Sequence, residues 1–172
     1  MNAIIENLLT RRSTGAYLQK EIPDNELNEI LQAAIYAPSG MGKQTWKFTV
    51  LCNQEKIQQL AELIGRELGR KGYDMYRPQV LIIPSNQKEN PHGMEDNACA
   101  LENIFLAAHS FGIGSVWINQ LRTLCDDPEV RALLDEFEIP SDHVVYGMAA
   151  LGYPADAPKK EIHKIGEIRI IK

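Results

Sequence analysis

Three short segments of this sequence combine residue types that can hold an anion or a planar ligand. Residues 11–13 read Arg-Arg-Ser, which places two guanidinium groups beside a hydroxyl. Residues 37–40 read Ala-Pro-Ser-Gly, a turn whose backbone N–H groups could face a planar ligand. Further along the chain, Lys159 and Lys160 add two cations. Each segment alone is more often surface charge or a helix stop, so only their combination indicates a site.

Two glycine-containing segments resemble nucleotide-binding loops but lack required residues. A phosphate-binding loop around Gly42 needs a glycine at position 37 and a hydroxyl residue at position 44, where this chain has Ala37 and Gln44. Residues 112–114 read Gly-Ile-Gly, but they follow a predicted helix rather than a strand and no third glycine completes the fingerprint. The sequence therefore favours neither type of nucleotide loop.

Metal binding and nucleophilic catalysis by a side chain are also disfavoured. The four histidines show no ligand spacing with one another or with the cysteines: His92, His109, His143 and His163. Cys99 and His109 share a predicted helix, but ten residues separate them by about 15 Å along its axis. We expect no metal site and no catalytic amino-acid nucleophile.

Composition narrows the class of protein. A net charge of −5 disfavours broad attraction to nucleic acid, and no apolar run approaches the roughly 20 residues that span a bilayer. The first residues, Met-Asn-Ala-Ile-Ile-Glu, lack the pattern of a signal peptide. An odd number of widely spaced cysteines suits reduced thiols: Cys52, Cys99 and Cys125. These features predict a cytoplasmic protein with neither nucleic-acid nor membrane partners.

Apolar periodicity and helix breakers predict the elements of the first half. A short helix covers residues 4–9, and a second is capped by Asp24 and ends before Pro38. Residues 48–51 form a strand and residues 57–64 a helix that ends by position 69. A further strand at 80–83 is expected to stop at Pro84.

The second half contains a helix that is almost free of charge. It is predicted over residues 97–111 with Asp96 as its cap, and Glu102 is its only formally charged side chain besides the titratable His109. Such a helix should be buried on most sides, which in a small chain suggests contact with a second subunit. Strands follow at 115–118 and 144–151, with a helix beginning at Pro128 between them.

The chain has no internal repeat or flexible linker, so we predict a single domain over residues 1–172. Interleaved helices and strands favour an α/β or α+β layered domain. The end of the tail reads Ile-Arg-Ile-Ile at 168–171, an alternation that could pair as an edge strand on another subunit. We therefore expect the tail, residues 155–172, to reach a partner.

Taken in order, the segments resemble the FMN-dependent nitroreductase family across most of the chain. Residues 11–17 resemble its N-terminal signature, and residues 33–46 its helix, Pro-Ser turn and Gln-x-Trp segment. Residues 107–118 are similar to its central helix and following strand, and residues 152–160 to its closing segment. The resemblance implies an α+β fold, with a mostly antiparallel sheet flanked by helices, assembled as an intertwined homodimer that binds FMN.

The resemblance assigns the FMN phosphate to the basic segments. Arg11, together with Lys159 or Lys160, would hold the phosphate, while Arg12 and Ser13 would contact the phosphate, the ribityl chain or the ring edge. It assigns the flavin ring to other positions: Pro38, Ser39 and Gly40 from the partner subunit, Gln44, and the backbone of Ile118 and Asn119 near the flavin N5.

The implied activity is the reduction of nitroaromatics, quinones or similar electron-poor small molecules by NADH or NADPH. The flavin would carry the redox chemistry in a ping-pong cycle, accepting hydride at N5 from one substrate and passing electrons to the next. Two alternatives remain open. One is a specialised flavin enzyme, such as a dehalogenase or ene reductase, and the other is a flavin-binding or redox-sensing protein with little turnover.

The chain departs from the family pattern at several positions. Gly15 stands where relatives usually have a basic residue that stabilises negative charge at the flavin N1/O2, and Arg70 or Lys71 could replace that cation. Gly42 replaces an expected Asn and Thr45 an expected Pro. Glu161 occupies a position that often carries a second cation.

Overall fold

In the computed structural model, residues 1–156 and 164–172 are described. The helices of this part of the chain are α1 (Ala3–Thr10), α2 (Asp24–Ile35), α3 (Gln54–Glu67), α4 (Gly93–Ser110) and α5 (Pro128–Glu136). Its strands are β1 (Trp46–Leu51), β2 (Val80–Gln87), β3 (Gly114–Ile118), β4 (His143–Val144) and β5 (Met148–Gly152). No helix in these residues is long and apolar enough to cross a membrane.

All strand pairs in the sheet are antiparallel, which confirms the α+β prediction. The order is β1-β2-β5-β3, and β4 pairs with the end of β2. Strand β3 lies at one edge, and the Arg-Arg-Ser segment joins it there. Ser13 forms a parallel bridge with Ser115, and the Thr14 N–H donates to the Ser115 carbonyl oxygen at 2.9 Å. The sheet edge thus fixes the backbone that follows the two arginines.

Apolar side chains cover both faces of the sheet. One cluster joins the sheet to α3 and α5, with Leu60 and Leu134 at its centre. A second cluster joins it to α2 and α4, with Ile30 and Ile104 at its centre. Burial of these surfaces is the main force that holds the helices against the sheet.

The charge-poor composition of α4 is explained within a single protomer. Leu101 and Ile104 are fully buried, in the same cluster as residues of α2 and the sheet. The sequence suggested that the low charge of α4 reflects contact with a second subunit. Burial within one protomer already accounts for this low charge, so it does not by itself indicate a second subunit. Whether α4 also lies near a two-fold axis stays a prediction.

Some predicted element boundaries were wrong for local reasons. Helix α4 begins at Gly93, so Asp96 lies inside its first turn, and Asp24 is the first residue of α2 rather than its cap. Strand β2 continues through Pro84, which faces Phe48 of β1 at a point where β2 changes partner from β5 to β4. Proline is tolerated there because the ladder on one side is interrupted.

The strand predicted at 144–151 is divided into β4 and β5, with residues 145–147 between them. The 168–171 segment forms no strand within this protomer, and Ile168 and Ile171 are largely exposed. Pairing of the tail with another subunit stays a prediction.

Candidate functional site

Arg11 is placed by the attachment of α1 to α4. The Asn7 side-chain amide donates to the Leu106 carbonyl at 2.9 Å, and the Thr10 hydroxyl lies 2.9 Å from His109 Nε2. Arg11 follows as the residue that ends α1, with its guanidinium 5.8 Å from the centre of the Phe105 ring. Burial, and then the nearby Arg11 cation, lower the pKa of His109. This end of α4 therefore holds a cation beside an imidazole that favours its neutral form.

A cavity of about 420 Å³ adjoins the next residues of the segment. Arg12, Ser13, Thr14 and Gly114 are among the residues that line it. A Cβ atom at position 114 would lie 2.5 Å from the Thr14 hydroxyl oxygen, so glycine there lets the segment approach β3. The Ser115 hydroxyl is buried and has no hydrogen-bond partner among the described residues. An unpaired polar group is therefore buried in β3 beside the segment that follows the two arginines.

The buried carboxylate of Asp96 holds the Pro-Ser-Gly turn. The sequence predicts this residue only as a helix cap. The Asp96 carboxylate accepts hydrogen bonds from the Gly40 N–H at 2.7 Å and from the Ser39 hydroxyl at 3.1 Å. The Ser39 oxygen in turn accepts from the Gln44 N–H at 2.9 Å. Asp96 is only 2% exposed. Asp96 thus fixes Ser39, Gly40 and Gln44 as one unit, with Pro38 exposed at its start.

Two neighbours complete the support of this turn. The Asn90 side-chain amide donates to Asp96 at 3.1 Å. The His92 ring packs so closely on Gly40 that a Cβ atom at position 40 would lie 2.6 Å from it. An acidic residue within the first turn of an otherwise apolar helix was the sequence signal for this network, but it also fits a simple cap. Only the structure identifies its partners.

We expect Asp96→Ala to destabilise the protein because it leaves the Gly40 N–H and the Ser39 hydroxyl without their acceptor. Unsatisfied buried groups cost about 1–3 kcal/mol each, and because these two groups are only partly buried the free energy of unfolding should fall by about 2–4 kcal/mol. Chemical denaturation of the variant and of Glu95→Ala, a matched change at the exposed neighbouring position, measures the difference. Equal stability of the two variants would contradict this role of Asp96.

The end of β3 presents backbone rather than side chains. Ile118 is 2% exposed and its side chain belongs to the core, so only its backbone could face a ligand. The Asn119 N–H donates to the Gln120 side-chain oxygen at 3.0 Å, and the Tyr73 hydroxyl donates to the same oxygen at 2.9 Å. Burial raises the pKa of Tyr73 to about 12, so this hydroxyl stays a donor. A ligand that uses the Asn119 N–H must displace Gln120.

Gly15, where relatives usually have a cation, is covered by an aromatic ring. A Cβ atom at position 15 would lie 3.3 Å from the Tyr76 ring. Tyr76 lies in an unusual left-handed run, with φ values of 50° at Met75, 67° at Tyr76 and 49° at Arg77. Such a conformation costs L-residues roughly 1–2 kcal/mol each. Met75, which is 1% exposed, anchors the run in the core.

Besides Ile118 and Asn119 at the end of β3, the predicted site residues of the described chain form two groups on one protomer. Arg11, Arg12 and Ser13 lie near the C-terminal end of α4, whereas Pro38, Ser39, Gly40 and Gln44 lie near its N-terminal end. From Asp96 to His109 the helix advances about 20 Å, at about 1.5 Å per residue. Lys159 and Lys160 lie outside the described residues. No group of three or more potential metal ligands occurs in the described part of the chain.

Comparison with known proteins identifies the family. The model of the nitroreductase family matches residues 8–153. A nitroreductase with bound FMN from Bacteroides fragilis is 44% identical, with a TM-score of 0.94 and 100% of both chains covered. An FMN-dependent nitroreductase from Clostridium difficile is 31% identical, with a TM-score of 0.78 over 92% of this chain and 91% of that one. The chain belongs to the nitroreductase family, as its motifs predicted.

A more distant relative carries the name of a flavin reductase. The FMN reductase (NADPH) of Bacillus subtilis is 26% identical over 180 residues, which cover 94% of this chain and 70% of the relative. The similarity therefore extends to a relative that is itself named as a flavin-using reductase.

Proposed function

We propose that this protein is an FMN-dependent oxidoreductase that uses NADH or NADPH to reduce small electron-poor molecules such as nitroaromatics and quinones. The observation that carries the proposal is its full-length similarity to a nitroreductase with bound FMN. The FMN reductase relative supports a nicotinamide as the electron donor. The reaction would follow a ping-pong course, in which donor and acceptor use the same site in turn.

The residues at the sheet edge fit FMN. Arg11 and Arg12 with the Ser13 hydroxyl form a donor set suited to a phosphate dianion. The unpaired buried Ser115 hydroxyl lies on the strand that bonds to this segment. The backbone at the end of β3 offers groups that could contact the ring edge. Lys159 or Lys160 would add a further cation at the phosphate.

A second copy of the chain would complete the site. The turn that Asp96 holds lies about 20 Å along α4 from His109 and Arg11, so it is far from the proposed phosphate site of the same protomer. In a homodimer the partner's turn would cover the flavin. The large exposed apolar side chains support such an assembly, because monomers rarely leave so many in water: Ile4, Leu8, Leu9, Ile165, Ile168, Ile170 and Ile171.

Each part of the site would have a distinct task. Bound FMN would supply the electron transfer. Arg11 and Arg12 would hold the phosphate, and the Ser39–Gly40 backbone, kept rigid by Asp96, would exclude water from the ring. The Asn119 N–H would donate to the ring edge after Gln120 moves away.

A titration with FMN tests the proposal. Mixing the purified protein with FMN should quench flavin fluorescence with a stoichiometry of one FMN per chain, and light scattering should give the mass of a dimer. Addition of NADH or NADPH with a quinone should then give steady turnover. A protein that neither binds FMN nor oxidises nicotinamide would contradict the proposed function. Binding without turnover would instead favour a flavin-binding or redox-sensing role.

We expect Gly15→Arg to raise the midpoint potential of bound FMN by tens of millivolts. A cation about 4 Å from the N1/O2 edge stabilises the anionic reduced flavin by up to about 4 kcal/mol at an effective dielectric near 20. For a two-electron couple, about 30 mV of midpoint potential corresponds to 1.4 kcal/mol. Tyr76 must shift slightly to admit the side chain. Anaerobic redox titration of Gly15→Arg and Gly15→Ala separates charge from packing. Equal potentials for the two variants would show that charge at position 15 has no effect.

A further inference from the structure

His109 shares a cavity with the basic segment to which we assign the FMN phosphate. It lies in the last turn of α4, and its side chain lines the cavity of about 420 Å³ together with Arg12 and Ser13. The Arg11 guanidinium is close enough to lower the pKa of the imidazole. A titratable ring therefore stands beside the two arginines, at the end of the helix that faces the proposed phosphate position.

The hydrogen bonds around His109 define the tautomer of its neutral ring. The Thr10 hydroxyl carries one hydrogen, which it donates to the Glu6 carbonyl oxygen at 2.7 Å. The Thr10 oxygen therefore accepts from His109 Nε2, which lies 2.9 Å away. The single hydrogen of the neutral ring is thus on Nε2, and Nδ1 carries a lone pair. Among the described residues, Nδ1 has no hydrogen-bond partner.

Protonation of Nδ1 would turn this ring into a phosphate ligand. A phosphate dianion has no hydrogen to donate, so it cannot bond to an unprotonated Nδ1. A proton on Nδ1 makes the ring a cation and gives it an N–H that can donate to a phosphate oxygen. Nε2–H keeps its bond to Thr10 in both states. The ring can therefore gain this function without moving.

The surroundings of His109 keep it neutral until an anion arrives. Besides Arg11, its charged neighbours are Glu6 on α1, Arg12 at the cavity and Asp156 beyond β5. Carboxylates and guanidinium groups ordinarily keep their charges near neutral pH, whereas an imidazole does not. Burial, and then the Arg11 cation, lower the pKa of His109, so the free protein favours the neutral ring at pH 7. A dianion in the cavity would act in the opposite direction.

We infer that His109 is a phosphate ligand that takes up a proton as FMN binds, so that the chain binds FMN more tightly as the pH falls toward 6.5. The inference rests on the proposed function, because it needs the FMN phosphate in this cavity. The proton comes from the solvent and adds to Nδ1, and no bond of FMN is made or broken. Since the pKa of His109 would be higher in the complex than in the free protein, the complex holds more protons, and acidification favours it.

Fluorescence titration with FMN at two pH values measures the effect. Between about pH 8.5 and about pH 6.5 we expect the affinity of the wild type to rise about 10-fold. His109→Gln retains an amide donor for Thr10 but gains no proton in this range, so its affinity should change by about twofold or less. Protonation of the FMN phosphate itself is the same for both proteins. Riboflavin, which lacks the phosphate, should bind equally well at both pH values.

A matched variant, His163→Gln, removes an imidazole from the tail and should keep the pH dependence of the wild type. Calorimetry in two buffers of different ionisation enthalpy then counts the protons directly. At about pH 7.5, binding of FMN should take up about half a proton per chain in the wild type and in His163→Gln, and close to none in His109→Gln.

The outcomes separate this inference from the proposed function. FMN binding without proton uptake, or an uptake that survives in His109→Gln, would overturn the role of His109 and leave the protein an FMN-binding one. Proton uptake on binding riboflavin would also overturn it, because the proton would then belong to the ring site. Absence of FMN binding at both pH values would overturn the proposed function together with the inference.

Discussion

Arg11→Ala is expected to weaken FMN binding by roughly 10- to 100-fold. Each charge-assisted contact to a phosphate is worth on the order of 1.5–3 kcal/mol, and Arg11 is held beside the sheet edge by the attachment of α1 to α4. Fluorescence titration of the variant with FMN gives the affinity. Riboflavin, which lacks the phosphate, should bind the variant and the wild type almost equally.

The riboflavin comparison decides what Arg11 does. A parallel loss of affinity for both ligands would show that the substitution disturbs the ring site or the fold rather than the phosphate contact. Equal FMN affinities for variant and wild type would contradict the assignment of Arg11 altogether.

Leu9→Arg is expected to separate the dimer and to reduce FMN affinity by about 100-fold or more. Leu9 is 69% exposed, so the charge should not disturb the protomer's own core, but it would be buried without a partner in an interface. Loss of the partner would remove every contact that the partner's Pro-Ser-Gly turn makes with FMN, and each such contact is worth about 1 kcal/mol. Light scattering and FMN titration measure both effects in the same sample.

Gln59→Arg is the control for this second prediction. It adds the same charge at an exposed position of α3, a helix that packs in the core cluster around Leu60 and Leu134. It should remain dimeric and bind FMN as the wild type does. A wild-type protein that is monomeric at micromolar concentration and binds FMN fully would rule out the shared site.

Apolar periodicity was sufficient to predict most of the fold. The apolar spacing in α2 and α3 reflects burial against the sheet, and Pro128 after the Asp127 cap fixed the start of α5. The errors arose where a tertiary contact overrides a local signal. Pro84 stays in β2 because its ladder is interrupted there.

The candidate site was predicted less completely. Basic residues such as Arg11 could be proposed from the family pattern, and their contact with a phosphate stays a prediction. The role of Asp96 could not be predicted, since its partners Ser39 and Gly40 are more than fifty residues away in sequence. Likewise, nothing in the sequence indicates that Tyr76 would cover Gly15, because that contact depends on a left-handed run whose residue types do not signal it.

Anaerobic reduction of the FMN-loaded protein tests the central claim most directly. The FMN-loaded protein is mixed in a stopped-flow instrument with NADH or NADPH, and the visible absorption band of oxidised flavin is followed without any acceptor. We predict complete bleaching that saturates with nicotinamide concentration, followed by recovery of the band when a nitroaromatic or quinone is added. An FMN-loaded protein whose flavin band is unchanged by both nicotinamides would contradict an NAD(P)H-dependent oxidoreductase.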